Sequence, residues 1–413
     1  MEFYDLIFYL SMVAGLLMAF SLGGNDLANT MATVVGSGAL SVRQAVMIAA
    51  PLTFVGAVLL GAHVTATITR GVINPEFIGD PKIMALGMFS ALLAAALWVL
   101  IASLAALPVS TTHSIVGSIL GFGLVAAGPQ VVSWWVLLGV VLSWIISPLF
   151  AGLISFLIFS HIRKFIFYQK HYLQQAKIWA PRWIGLTALI LGFSLMFKTP
   201  LGEALDMSPL LAVILTLTVA VVAWLVFRYL IDKLTRHLEQ KVENVEGIFR
   251  RLQILTSSYV SLSLGANDVA NAVGPVAVIY LIVRQQAMVE EAEIPVFLLM
   301  VGGLGIAAGI AIIGSKVMRT VGTRITTLTH TRGFSVNYGS ATAVLVATLL
   351  GMPVSTTHAC VGGVTGVGLA RGFSALDLGV LLRIMLYWVL TVPIAAFTCI
   401  VIFQVLRWIF LYP

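Results

Sequence analysis

"SLGGNDLAN", Ser21 to Asn29, and "SLGANDVAN", Ser263 to Asn271, are one nine-residue element written twice. Each sets an acid between two asparagines inside apolar sequence. Asp26 is the only Asp, Glu, Lys or Arg between Asp5 and Arg43, and Asp268 is the only one between Arg251 and Arg284. A second element, "PVSTTH", stands at Pro108–His113 and again at Pro353–His358. Asn25 and Ser110 are 85 positions apart, Asn267 and Ser355 88. Neighbours travel with the motifs: "VRQ" at Val42–Gln44 returns at Val283–Gln285, and Gly117 and Gly121 correspond to Gly362 and Gly366. The chain therefore reads as a duplication, with copy one over residues 1–160, copy two over 247–413, and an insert at 161–246.

Of the 413 residues 60% are hydrophobic and 9% charged, against roughly 25% charged in a soluble domain. Apolar runs of about 20 residues, enough to cross a hydrocarbon core of ~30 Å, recur along the chain, which makes it an integral membrane protein. The start, Met1 to Asp5, is acidic rather than basic, and no small-residue cleavage site follows, so no cleaved signal is expected. Lys and Arg number 23 against 16 Asp and Glu, but 11 of the 23 lie in two segments, Arg163 to Arg182 and Arg228 to Arg251. Basic residues gathered beside spans report topology, not a nucleic-acid partner. Cys360 and Cys399 sit in apolar sequence without ligand spacing and read as core residues.

Copy one holds five apolar segments, at residues 6–40, 44–69, 83–106, 108–127 and 131–160. The insert adds two, Trp183–Phe197 and Pro209–Leu230. If each segment crosses once, an odd count per copy makes the copies face opposite ways. The expectation is an all-α polytopic protein of about twelve spans, built from two inverted repeats with broken or re-entrant helices at the motifs. The positive-inside rule puts the basic linkers in the cytoplasm and both termini outside the plasma membrane. Arg43, Lys316, Arg319, Arg324, Arg332 and Arg371 then fall on the cytoplasmic side, and Arg70, Lys82, Lys198 and Arg284 on the other. The segments starting at Pro108 and Pro353 read equally well as full spans or as re-entrant half-helices.

A lone carboxylate in a span is costly and usually marks an ion or substrate path; the plainer reading is an acid at a span end, and its recurrence argues against that. Gly23, Gly24, Gly265 and Ala266 are expected to loosen the helix there and free carbonyls. With the amides of Asn25, Asn29, Asn267 and Asn271, Asp26 and Asp268 make an all-oxygen set suited to a hard cation such as Na⁺, or to a proton. "PVSTTH" has a different chemistry. Proline opens a helix without losing a needed bond, and Ser110, Thr111 and Thr112, like Ser355, Thr356 and Thr357, follow among N–H groups that lack an intrahelical acceptor. Such an end carries about half a positive charge and holds phosphate or sulfate without a basic side chain. The plainer reading is that these hydroxyls only cap a buried helix. His113 and His358 stay open between relaying a proton, donating to the anion and satisfying a carbonyl. The Gly117/Gly121 and Gly362/Gly366 spacings point to close helix packing.

No Lys, Arg, Asp or Glu occurs from Ile83 to Ile162 or from Gly333 to Ala370, so no arginine clamp from these stretches awaits the anion. Helix ends of about half a charge each do not offset two carboxylates plus an anion. Mobile cations have to enter with it.

At these residues the chain resembles the inorganic phosphate transporter (PiT) family, marked by a duplicated G-A-N-D-V-A-N element and P-V-S-T-T-H. Gly265–Ala272 matches fully, whereas copy one has Gly24 and Leu27 in place of Ala and Val. The resemblance implies a Na⁺- or H⁺-driven phosphate symporter, often a homodimer, with no cofactor beyond the coupling ion. Carried over, Asn25, Asp26, Asn267 and Asp268 hold the cation, while Ser110–Thr112, Ser355–Thr357, Asn29 and Asn271 hold phosphate. A sulfate permease is the nearest alternative. A membrane-embedded phosphotransferase using Asp or His as nucleophile lacks the cations such chemistry needs, and a channel would pass current without coupling.

Overall fold

A computed structural model describes residues 3–62, 72–198, 207–286, 294–318, 327–349 and 354–411. Arg70, Arg319, Arg324 and Pro353 lie outside them. Within the described residues the regular structure is helical, with one isolated bridge between Ile73 and Val132. In chain order the helices are α1 (Phe3–Gly36), α2 (Val42–Leu60), α3 (Pro81–Leu104), α4 (Thr111–Ala127), α5 (Trp134–Ile162), α6 (Tyr172–Lys198), α7 (Pro209–Thr235), α8 (Val242–Gln285), α9 (Val296–Ile312), α10 (His330–Leu349), α11 (Thr356–Arg371) and α12 (Leu378–Leu411). Seven of these, α1, α2, α3, α5, α7, α8 and α12, are long and apolar enough to cross a membrane.

Local chemistry sets several boundaries. Ser41 and Gln44 form a capping box at the start of α2, and Asp80 followed by Pro81 opens α3. Ser110 and Ser355 cap α4 and α11 by accepting from the His113 and His358 backbone N–H groups at 3.2 and 3.3 Å. These two helices have 17 and 16 residues, about 25 Å at ~1.5 Å per residue, which is less than a ~30 Å core.

The two ends of α1 identify two faces of the molecule. At its start the Phe3 ring meets Phe410 near the other terminus, and Lys82 lies over it. At its end Ser37 donates to Gln253, and Arg250 donates to the Ala39 carbonyl at 2.9 Å. Because α8 passes Arg250 and Gln253 first and reaches Tyr280 beside Phe8 later, it runs antiparallel to α1. The two motif-bearing helices thus point opposite ways.

Packing crosses between the halves in matched pairs. A Cβ on Gly23 would stand 2.0 Å from the Ile306 carbonyl oxygen, and one on Gly309 1.9 Å from that of Phe20, so α1 lies directly on α9. The same contact recurs between α8 and α2: a Cβ on Gly265 would be 1.9 Å from the Thr53 oxygen, and one on Gly56 2.0 Å from that of Leu262. Gly117 and Gly121 of α4 approach Val392 and Ala396 of α12, and Gly362 and Gly366 of α11 approach Pro148 and Gly152 of α5. Without side chains the backbones come close enough for dispersion to hold helices that gain nothing from leaving lipid.

One expectation is corrected here. The glycines before the acids do not loosen their helices: α1 and α8 run unbroken through Asp26 and Asp268. Gly23 and Gly265 are instead the points of closest helix approach, and that packing holds the turn. The break in copy one lies between α3 and α4, where Ala106 takes φ +58° in the left-handed region, a conformation that L-residues adopt at a cost of about 1 kcal/mol or more.

Candidate functional site

Both acids are fully buried, and the four motifs converge on them. Thr111, first residue of α4, donates to Asp26 Oδ2 at 3.0 Å, and Thr356, first residue of α11, donates to Asp268 Oδ2 at 3.2 Å. Asn29, one turn along α1, donates to Asp26 Oδ1 at 2.8 Å and lies 3.1 and 3.0 Å from the Thr356 and Thr357 hydroxyls. Thr357 also reaches Asp26 Oδ1 at 3.4 Å. The counterpart contact, Asn271 Nδ2 to Thr112 Oγ1, is longer, at 3.5 Å. Each "NDLAN" or "NDVAN" helix therefore meets the "STTH" helix of the other half.

The asparagines that precede the acids behave differently from one another. Asn25 Nδ2 turns away to Ser103 Oγ at 3.1 Å and the Leu107 carbonyl at 3.0 Å, fixing the end of α3, whereas Asn267 donates to Asp268 Oδ1 at 2.7 Å. The side-chain oxygens of Asn25, Asn29 and Asn271 are buried and lack a hydrogen-bond partner. A buried amide oxygen without a donor loses its hydration uncompensated. Three such oxygens around two carboxylates fit a hard cation, which takes oxygen ligands, and give nothing to an anion. Among the described residues no three His, Cys, Asp or Glu gather as a transition-metal site would require.

Each histidine reaches a backbone carbonyl through Nδ1, while its Nε2 is buried with no hydrogen-bond partner. His113 and His358 lie side by side, with ring centroids 4.5 Å apart. His113 lies tilted against Trp144 and His358 stacks on Trp388, each with ring centroids 3.6 Å apart. The hydrogen bonds cross over: His113 Nδ1 meets the Trp388 carbonyl at 3.2 Å, and His358 Nδ1 meets that of Trp144 at 3.0 Å. A carbonyl only accepts, so Nδ1 carries the hydrogen in both rings. Pro148 explains one acceptor, since it has no N–H for the Trp144 carbonyl four residues back.

Sequence reasoning missed a polar row that leaves the site toward the end of α1. On α1, Asp26, Asn29, Thr33 and Ser37 share a face. Thr33 donates to Asn337 Oδ1 at 2.6 Å, Asn337 in turn donates to Ser257, and Ser37 meets Gln253 and His330. The corresponding face of α8 carries Asp268, Asn271, Pro275 and Ile279. The signal was present in the spacing 26, 29, 33, 37, which is the helical repeat, but Thr and Ser in an apolar span satisfy their own carbonyls too often to stand out.

A helical membrane protein that buries two acids and orphaned amide oxygens between antiparallel helices, with a polar row leading from them to one face, is a transporter of small charged solutes. The comparisons narrow this. The model of the phosphate transporter family matches residues 22–399. A provisionally named phosphate permease of Pyrococcus abyssi is 45% identical over 97% of this chain and 98% of its own. An inorganic phosphate transporter of Arabidopsis thaliana chloroplasts is 38% identical over 98% of this chain and 72% of its own. A solved structure described as a sodium-dependent phosphate transporter superposes with a TM-score of 0.90 at 44% identity, covering 98% of this chain and 99% of that one. The chain belongs to the phosphate transporter family, whose members are transporters and not enzymes.

Proposed function

We propose that this chain is a cation-coupled symporter of inorganic phosphate across the plasma membrane. In this reading residues 1–160 and 247–413 are inverted repeats that rock about the central site by alternating access, with the basic face in the cytoplasm. The observation that carries it is the bond from Thr111 to Asp26 and its counterpart from Thr356 to Asp268. A threonine hydroxyl has one hydrogen, and here it is spent on the acid. A cation bound to Asp26, Asp268 and the oxygens of Asn25 and Asn267 takes over the negative charge. Thr111, Thr112, Thr356 and Thr357 are then free to donate to an anion, together with the N–H groups that open α4 and α11 and the amides of Asn29 and Asn271. The cation thus precedes phosphate, and neither is held well alone. The sodium dependence of the solved relative favours Na⁺ over H⁺. The polar row from Thr33 to Ser37 supplies a hydrated way between the site and the basic face.

The test is uptake of labelled phosphate into proteoliposomes under an imposed Na⁺ gradient, and separately under a pH gradient. Accumulation that follows the Na⁺ gradient is expected. Equal filling with both gradients collapsed would overturn coupling.

A further inference from the structure

The hairpin of α6 and α7 stands apart from the motif-bearing helices and carries charge of its own. Its two helices pack closely where a Cβ on Gly192 would be 2.8 Å from Thr216 and one on Gly185 3.0 Å from Trp224. At the basic face, where the Tyr172 hydroxyl donates to the Gln240 carbonyl just before α8, Lys177 of α6 donates to the Thr235 carbonyl of α7 at 2.9 Å. Between these two closures lies a cleft of about 680 Å³, lined by Gln174, Lys177, Arg182, Trp224, Arg228 and Asp232. Arg182 and Arg228 are exposed, and aromatic rings steady both. The Arg182 guanidinium lies 4.5 Å from the Trp179 ring centroid, and that of Arg228 5.9 Å from the Trp224 centroid. A ring face attracts the charge and leaves the in-plane N–H fork to other partners.

α6 contains no Asp or Glu, and Asp232 is the only one in α7. Lys177, Arg182 and Arg228 against that single acid leave a charge of +2 in the cleft, whichever of the three Asp232 faces. Depth makes this charge costly. Arg182 stands 16 residues before Lys198, the far end of α6, about 24 Å at ~1.5 Å per residue. Measured from that end, it falls inside a hydrocarbon core of ~30 Å. An exposed guanidinium at such a depth has to reach back to the interface or take a counter-ion. Leu225 and Tyr229, both exposed, flank the cleft, so its open side meets acyl chains, and the anion available there is a lipid phosphate. Basic pockets between spans at this level take phosphorylated headgroups, and the guanidinium fork matches phosphate oxygens with two bonds at once.

We propose that the cleft between α6 and α7 binds the headgroup of an anionic phospholipid, with Arg182 and Arg228 on the phosphodiester oxygens, Lys177 beside them and the acyl chains along Leu225 and Tyr229. The test uses the full chain in phosphatidylcholine nanodiscs, with phenylglyoxal modification of each arginine followed by mass spectrometry. Phosphatidylglycerol is built into the disc in one arm, and inorganic phosphate is added to phosphatidylcholine discs in another. Phosphatidylglycerol is expected to slow modification of Arg182 and Arg228 by at least ~5-fold more than that of Arg43, as bidentate pairing requires; Arg43 is exposed in the first turn of α2 at the same face. Equal slowing of all three arginines would report only the negative surface of the disc and overturns the proposal. Protection by inorganic phosphate alone, which assigns a free-anion site, overturns it too, as does equal reactivity in every arm. Native mass spectrometry of the detergent-purified chain with added phosphatidylglycerol gives a second readout. Arg182→Gln with Arg228→Gln should weaken binding by ~10-fold or more, and the paired lysine variants, which keep the charge and lose the fork, by less. Asp232→Asn, which removes the opposing charge, should tighten it. Unchanged affinity in the glutamine variant also overturns the proposal.

Discussion

Asn29 of α1 reaches Thr357 of α11 across the centre of the molecule, its Nδ2 3.0 Å from the threonine hydroxyl. The same amide donates to Asp26, so one side chain ties an acid of the first half to a hydroxyl of the second. Removing a buried hydrogen-bond donor of this kind costs about 1–3 kcal/mol. Asn29→Ala is therefore expected to raise the phosphate concentration for half-maximal uptake by ten-fold or more. Uptake kinetics equal to those of the native chain would show that the bridge does not take part in binding.

Asp26→Asn and Asp268→Asn remove the two charges proposed to hold the coupling cation while keeping size and shape. Each is expected to abolish concentrative phosphate uptake in proteoliposomes. Native-level accumulation in both variants would remove the acids from the mechanism.

Gly309→Ala puts a methyl group 1.9 Å from the Phe20 carbonyl oxygen, a backbone atom that moves only with its helix. Overpacking of this sort costs about 1–3 kcal/mol. The melting temperature of the detergent-solubilised variant should fall clearly, and Gly265→Ala, facing Thr53, should behave alike. Gly139, with nothing within 4 Å of an added Cβ, is the control and should tolerate alanine.

His358→Asn keeps a donor near the position of Nδ1 for the Trp144 carbonyl, whereas His358→Leu leaves that carbonyl bare beside Pro148. The asparagine variant should transport and melt close to native, and the leucine variant should lose stability by about 1–3 kcal/mol. Loss of uptake in the asparagine variant at native stability would give the imidazole a role beyond this bond.

Sulfate carries no proton at neutral pH, so it offers no donor to Asp26 or Asp268. A ten-fold excess should leave labelled phosphate uptake nearly unchanged. Strong inhibition would mean that the site reads only tetrahedral shape and charge.

Much of this architecture was legible because the informative residues repeat. Asp26 and Asp268 stand out as single charges in apolar runs, and the "PVSTTH" pair falls at two helix starts, although the helices begin at Thr111 and Thr356, after the caps Ser110 and Ser355, and not at the prolines. Gly117 and Gly121 gave their packing role by spacing alone. What pairs with them was not legible: Val392 and Ala396 carry no motif, and their separation of more than 250 positions leaves no trace in local pattern. Gly23 misled for a related reason. Glycine weakens an isolated helix, but here the Ile306 backbone presses on it and the helix persists. Asn25 looked equivalent to Asn267, yet its amide went to Ser103 because the end of α3 lay within reach.

The exchange of grooves between halves also governs how the chain is made. The groove at Gly23 is filled by α9, so a newly inserted α1 has no proper neighbour on that side until roughly 280 more residues have left the ribosome, about 15–60 s at ~5–20 residues per second. Through that interval the first half sits in the bilayer with Asp26 lacking the Thr357 hydroxyl, and lipid or the insertion machinery has to shelter it. Biogenesis of this protein is therefore a waiting problem, resolved only when its last helices arrive.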